Sequence, residues 1–241
     1  MPLLELSRVS RSFGGLRAVN ALTCAIEEGE IVGLIGPNGS GKTTVFNLVS
    51  GVFLPDGGRI TFAGQDLLGL KPHEVCHRGI GRTFQIVQPF NSLTVLENVR
   101  VGAFRTVDDP DRAMREAEAV LEMVGLSHRR DALPPSLTIA DRKRLELARA
   151  LATRPRLLLL DEVMAGLRPA ETVEMIELAR RIHAGGVTLL VIEHVMRAIM
   201  SLSHRIVVLH HGEKIAEGTP QEVSRDPEVI RAYLGEEYHP A

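Results

Sequence analysis

Two runs without polar interruption, Ile31 to Ile35 and Leu157 to Leu160, read as strands buried on both faces, the pattern of a parallel sheet covered by helices. The start of the chain reads differently. Leu3-Leu4-Glu5-Leu6-Ser7 and Leu22-Thr23-Cys24-Ala25-Ile26 roughly alternate, as half-exposed antiparallel strands do. Between about 89 and 155 the spacing turns helical, with Ala113, Ala117, Val120, Leu121 and Val124 on one side of a helix over Asp111 to Val124. A helix from about Pro169 to His183 then leads into a further buried strand, Val187 to Ile192. Near the end, Arg205 to Leu209 and Glu213 to Ala216 flank His210-His211-Gly212, which suits a tight hairpin. The expected fold is α/β: a parallel sheet with an N-terminal antiparallel β subdomain and a helical subdomain. Residues 1–241 form one domain on this reading, the helical subdomain of about 89–155 being an insertion in its core.

Composition narrows the function classes. With 44% hydrophobic and 24% charged residues the chain is an ordinary globular protein, and a formal charge of −2 lacks the basic excess that a nucleic-acid binder needs against phosphates. Two cysteines, Cys24 and Cys76, have no spacing that closes a tetrahedral metal site. No apolar run approaches the roughly 20 residues that span a bilayer, and the first residues carry an acid where a secretory signal is basic. The chain is expected to stay in the cytoplasm and to reach any membrane through a partner.

One motif then dominates. Gly36-Pro37-Asn38-Gly39-Ser40-Gly41-Lys42-Thr43 has the spacing of a phosphate-binding loop and lies between a buried strand and a helix starting near Lys42. Glycines let backbone N–H groups turn inward, the helix N-terminus adds its positive end, and Lys42 supplies a full charge. The Thr43 hydroxyl is placed to ligate Mg²⁺. Asp161 and Glu162 end the second buried strand, where ligands of open α/β sheets collect. Asp161 is expected to hold Mg²⁺ and Glu162 to deprotonate an attacking water. Gln85, after another strand end, is placed to reach the metal or that water through its amide. His194, at the tip of Val191-Ile192-Glu193-His194, is placed to bond a γ-phosphate. In a chain with seven Phe, two Tyr and no Trp, Phe13 in the loop Ser12-Phe13-Gly14-Gly15 is a candidate to stack on adenine.

This set, in this order, resembles the ATP-binding cassette ATPases that power ABC transporters. The resemblance makes Phe13 the adenine-stacking aromatic, Gly36 to Thr43 the Walker A loop, Gln85 the Q-loop, Asp161 and Glu162 Walker B with its base, Ala165-Gly166-Leu167 the D-loop and His194 the switch histidine. It implies ATP and Mg²⁺ as ligands, with Val19, Asn38, Gly39, Ser40, Gly41, Lys42, Thr43 and Thr44 around the nucleotide, and a P-loop NTPase core. By the same resemblance Lys42, Gln85, Glu162 and His194 are expected to carry the chemistry, and Thr43, Gln85 and Asp161 to hold the metal. It also implies a place on the inner face of a bacterial cell membrane, permease subunits as partners and an external substrate-binding protein as an indirect one. Gly79-Ile80-Gly81-Arg82-Thr83-Phe84-Gln85, Glu193-His194-Val195-Met196 and the ending from Asp226 to Gly235 resemble importers of branched-chain amino acids or urea-type amides.

One stretch departs from the family. Its Leu-Ser-Gly-Gly-Gln signature reads Leu137-Thr138-Ile139-Ala140-Asp141 here, and Val163 stands where proline usually follows the catalytic glutamate. In the family the signature faces nucleotide on the opposite subunit, which makes Thr138 and Ala140 nucleotide contacts in trans and Asp141 a repulsive one. A partner ATPase subunit with an intact signature, a heterodimer in preference to a homodimer, is the expectation. Alternatives are a regulatory subunit of low ATPase activity or an ABC ATPase outside transport. The apolar residues among Gln85 to Asn98, namely Ile86, Val87, Phe90, Leu93 and Val95, are the candidate permease-facing surface.

Overall fold

Uninterrupted apolar runs become covered strands, and alternating runs become strands with one face open. In the computed structural model, which describes residues 1–85 and 88–234, the chain runs β1 (Leu4–Phe13), β2 (Leu16–Ile26), β3 (Ile31–Ile35), α1 (Lys42–Val49), β4 (Gly57–Phe62), β5 (Gln65–Asp66), α2 (Pro72–Arg78), β6 (Ile80–Arg82), α3 (Val95–Ala103), α4 (Pro110–Val124), α5 (Ile139–Ala152), β7 (Leu157–Asp161), α6 (Pro169–Ala184), β8 (Thr188–Ile192), α7 (Met196–Leu202), β9 (Arg205–His210), β10 (Glu213–Gly218), α8 (Pro220–Val223) and α9 (Pro227–Leu234). These fall into two units, Met1–Arg78 with Thr188–Ala241, and Gly79–Val187.

In the first unit, β1 is the centre of an antiparallel sheet, pairing with β2 at Leu4 and Ile26 and with β4 at Leu4 and Phe62. The alternation buries Leu4, Leu6, Val9, Leu22 and Ile26. All five residues of β3 are buried, because it runs parallel between β8 and β9, matching Ile31 to Leu189 and Val32 to Arg205. Antiparallel β10 completes a hairpin with β9 through His211 and Gly212, both at positive φ. Arg205 closes the base of this layer: its Nε and Nη2 donate to Glu30 at 2.8 and 2.9 Å, and Nη2 also donates to the Ala25 carbonyl at 2.6 Å.

In the second unit β6 runs parallel to β7, Ile80 opposite Leu157, and α3, α4 and α5 pack on one another. Helix α4 starts where Asp109 accepts from the Arg112 N–H at 2.6 Å with Pro110 next, and it stops at Gly125, which is left-handed at φ 76°. Its buried face is Ala113, Ala117, Leu121 and Val124, with Val120 at the margin. The helical stretch expected at about 89–155 is thus part of a unit that also takes in β6, β7 and α6.

The apolar surface expected between Gln85 and Asn98 needs correction. Val95 is fully buried in the first turn of α3 and Leu93 is half-buried, so only Phe90 of the three is exposed. Ile86 and Val87 lie outside the described residues. Val95 turns inward because it is the first residue of α3, whose start is fixed by a capping box of Thr94 and Glu97. Buried Asn98 ties the preceding loop to that helix, accepting from the Phe90 N–H and donating to the carbonyls of Phe90, Leu93 and Thr94. Among the described residues no helix is long and apolar enough to cross a membrane.

Candidate functional site: a phosphate loop and a carboxylate corner

Gly36 leaves β3 and Lys42 starts α1, so the loop between them is set by two rigid elements. Its glycines are steric requirements. A Cβ on Gly36 (φ 152°) would sit 2.1 Å from the Leu209 carbonyl, and one on Gly41 (φ 104°) 2.3 Å from that of Ala18. Gly39, also at positive φ, faces open space. Gly41 caps α1 without any side-chain hydrogen bond, and the first turn carries no acid, so its amides remain available to an anion. Buried Lys42 curls into the loop and donates to the carbonyls of Gly36 at 2.7 Å and Pro37 at 2.9 Å. A cradle of glycine backbone around a lysine fits a polyphosphate in chemistry.

The loop is also held from outside. The Gly212 N–H donates to the Ser40 carbonyl at 3.1 Å while the Gly212 carbonyl accepts from Asn20 at 2.8 Å, so the β9–β10 turn clasps it to β2. Tyr233 of α9 meets the Gly36 backbone; burial pushes its phenol up and that hydrogen bond opposes the shift. Asn38 and Thr43 are exposed, Thr44 half-buried, and Val19 fully buried in β2 with no surface open to a ligand. Phe13 is 39% exposed at the end of β1. Phe53 meets it edge-on at 5.2 Å, and the Arg11 guanidinium lies 4.9 Å from the ring centre, anchored to Asp56 at 2.8 Å. His194 is exposed just beyond β8.

The second unit builds its site from side chains. Thr83, fully buried after β6, donates its N–H to Leu159 at 2.9 Å and accepts from the Asp161 N–H at 3.0 Å, locking the two strand ends together. Asp161 pairs through Oδ2 with Arg82 at 3.0 Å, the two side chains being 2% and 8% exposed. Its other oxygen, Oδ1, is buried with no hydrogen-bond partner. Burial pushes the carboxyl up, with Arg82 pulling the other way. A buried acceptor without a donor suits a cation or its water. Glu162 follows at φ 51°, a left-handed conformation uncommon for a residue with a side chain. Its Oε2 accepts from Gln85 Nε2 at 2.8 Å and its carbonyl from Lys143 Nζ at 2.8 Å. Two of the expected residues, Gln85 and Glu162, are therefore in direct contact.

Thr138 is the cap of α5 and accepts from the Asp141 N–H at 3.1 Å, so the altered signature begins an intact helix. Ile139 is 62% exposed beside it and Ala140 is half-buried. The Asp141 carboxylate lies 4.0 Å from Arg129, which offsets part of its charge. Further along α5, Arg149 donates to Glu146 and to the Gln88 carbonyl, both at 3.0 Å. Burial pushes the Glu146 carboxyl up. A cavity of about 410 Å³ opens among Arg82, Phe84, Gln85, Gln88, Glu146 and Arg149.

Sequence reading passed over Arg82, Thr83 and Lys143. Lys143 had a usable signal, since it shares a buried helix face with Leu147 and Ala150, and a charge there needs partners. Arg82 and Thr83 lacked one, because their partners lie nearly eighty residues away.

Comparison with known proteins gives the family. A family model described as "ABC transporter" matches residues 19–165, and one described as "Branched-chain amino acid ATP-binding cassette transporter" matches residues 213–239. The chain is 41% identical to the high-affinity branched-chain amino acid transport ATP-binding protein BraF of Pseudomonas aeruginosa, and 40% identical to LivG of Escherichia coli K12, over 98% of each chain in both cases. Among solved structures it is similar to a nucleotide-free ATP-binding cassette from an ABC transporter, with TM-score 0.89 and 31% identity over 98% of this chain and 100% of that one. An ABC transporter cassette in its ADP conformation gives TM-score 0.88 at 32% identity, with the same coverage. The chain belongs to the ABC transporter family, as an ATP-binding subunit of the kind that hydrolyses ATP to drive transport.

Proposed function

We propose that this subunit energises a branched-chain amino acid importer from the inner face of the cell membrane, acting as one nucleotide-binding domain over residues 1–241. The observation that carries the cargo class is the full-length likeness to branched-chain amino acid transport ATP-binding proteins, joined by the separate match at residues 213–239. Permease subunits are its membrane partners, with the exposed rings of Phe84 and Phe90 near the contact. An external binding protein delivers the cargo to them.

In the reaction, the amides of the Gly36 to Thr43 loop and Lys42 bind the phosphates, and Phe13 takes the adenine. Thr43, Gln85 and Asp161 would hold Mg²⁺, which would supply charge neutralisation to the phosphates. Glu162 accepts a proton from water as the water oxygen bonds to the γ-phosphorus and the bond to the bridging oxygen breaks, giving ADP and phosphate. His194 donates a hydrogen bond to the γ-phosphate. The Gln85 amide donates to Oε2 of the Glu162 carboxylate at 2.8 Å and so orients the base.

Asp141 at the start of α5 favours pairing with a second, different ATPase subunit, because a carboxylate opposes a phosphate facing that helix. The test is purification of the full chain with its native partners, followed by reconstitution in proteoliposomes with ATP on the nucleotide side. ATP-dependent uptake of radiolabelled leucine, with a second ATPase chain in the complex, is expected. Uptake of urea but not leucine overturns the cargo, and a complex containing this ATPase alone overturns the heterodimer.

A further inference from the structure

We propose that Lys143 is a positioning residue through which helix α5 sets the place of the Glu162 carboxylate. The inference rests on Glu162 being the base. Lys143 is 8% exposed, and its ammonium donates to two carbonyls, that of Glu162 at 2.8 Å and that of Gln85 at 3.5 Å. The side chains of those same two residues bond each other at 2.8 Å. Gln85 and Glu162 are therefore joined twice, once by their side chains and once through a charge carried on α5.

Glu162 is where such a hold matters. Its φ of 51° is a left-handed conformation that a Cβ disfavours, so it persists only where its surroundings hold it. Its carbonyl is pinned from two sides, by the Ala165 N–H at 3.2 Å and by the Lys143 ammonium. A charge-assisted bond is the stronger of the two. Holding that carbonyl fixes the peptide plane after Glu162, so its strained backbone, and with it the direction of its Cα–Cβ bond, stays in one conformation.

The grip belongs to a longer contact. One and two turns beyond Lys143, Glu146 is bonded by the Phe84 backbone and Arg149 donates to the Gln88 carbonyl. Phe84, Gln85 and Gln88 are thus all attached to α5, whose N-terminal cap in the signature stretch, Thr138, lies little more than one turn before Lys143. A shift of that capped end reaches Glu162 through Lys143.

A purely structural role predicts a different outcome from this one. Burying an ammonium is costly, so a methionine of similar length should be tolerated or even stabilising if Lys143 only fills space. The test uses the full chain in its native complex, measuring ATP turnover, melting temperature and binding of the fluorescent nucleotide TNP-ATP. Lys143→Met is expected to lower kcat about tenfold with KM and TNP-ATP affinity within about twofold, as for a misplaced group far from the nucleotide contacts. Lys143→Arg, which keeps the charged donors, is expected to recover most of the loss. Unchanged kcat in Lys143→Met, or a lower kcat accompanied by a raised KM and a lowered melting temperature, overturns the proposal. Should Lys143→Met fail to fold, Lys143→Gln decides: an intermediate kcat supports it and a wild-type kcat overturns it. Glu162→Gln, measured alongside, separates the two readings. Undiminished turnover there removes the base and this inference with it, whereas lost turnover with an indifferent Lys143→Met removes only the inference.

Discussion

In the Gly36 to Thr43 loop the working groups are backbone amides, held by contacts that leave no room for a Cβ; beyond β7 they are side chains held by other side chains from β6 and α5. Arginine–carboxylate pairs show the same contrast. In the first unit, Arg205 grips Glu30 with two hydrogen bonds, and although burial pushes the Glu30 carboxyl up, those bonds and the charge win, so it lies below its ordinary value. In the second, burial outweighs the single bond from Arg82, and Asp161 lies above its ordinary value. One pair braces a sheet and the other leaves an acceptor open. The first kind of site tolerates almost no change in backbone, and the second almost none in side-chain chemistry.

The largest expected effect follows from the second statement. Glu162→Gln keeps the shape of the corner and removes its proton acceptor, so turnover should drop by roughly 10²–10⁴ with nucleotide binding kept. Turnover near wild type would show that side-chain chemistry does not govern that corner. Next is the backbone cradle. Gly36→Ala forces a Cβ to 2.1 Å from a carbonyl and should cost about 100-fold in TNP-ATP affinity, whereas Gly39→Ala, with nothing near its Cβ, should cost roughly tenfold or less through φ alone. Equal losses at the two positions would break the steric account of the loop.

The smallest effect is on stability. The Glu30 contribution is complete above the unfolded carboxyl value, 4.5, and is lost as pH falls through the lower folded value. Asp161 has the opposite sign, its ionised form being the disfavoured one in the folded chain, so its cost is present above the raised folded value and relieved below it. Arg205→Met should therefore destabilise by about 1–2 kcal/mol at neutral pH, with the deficit shrinking below pH 4.5. Chemical denaturation at several pH values reads both, and a deficit that grows on acidification would reverse the assignment for Glu30.

The same contrast explains what could be read from sequence. The loop was legible because each requirement on it is local: a glycine where φ is positive, a lysine at the helix start, a covered strand before it. The carboxylates were legible for the same reason, as the polar end of Leu157 to Leu160. What holds them was not, because Thr83, Arg82 and Lys143 act across 78, 79 and 19 residues. Pattern also misplaced Val95, where a local signal was present but unused: Thr94 and Glu97 mark a helix start that turns the next residue inward. Helix α4 came through with its start one residue earlier and Val120 at the margin of the buried stripe, since its cap, stripe and terminal glycine are all adjacent in sequence.

The left-handed backbone at Glu162 has an implication for how this position can vary. Glycine adopts that conformation without strain, so Glu162→Gly should fold at least as readily as the natural chain while having no base at all. Selection for transport and selection for stability therefore pull in opposite directions at this residue, and a lineage that stops needing the ATPase has an easy first step towards losing it.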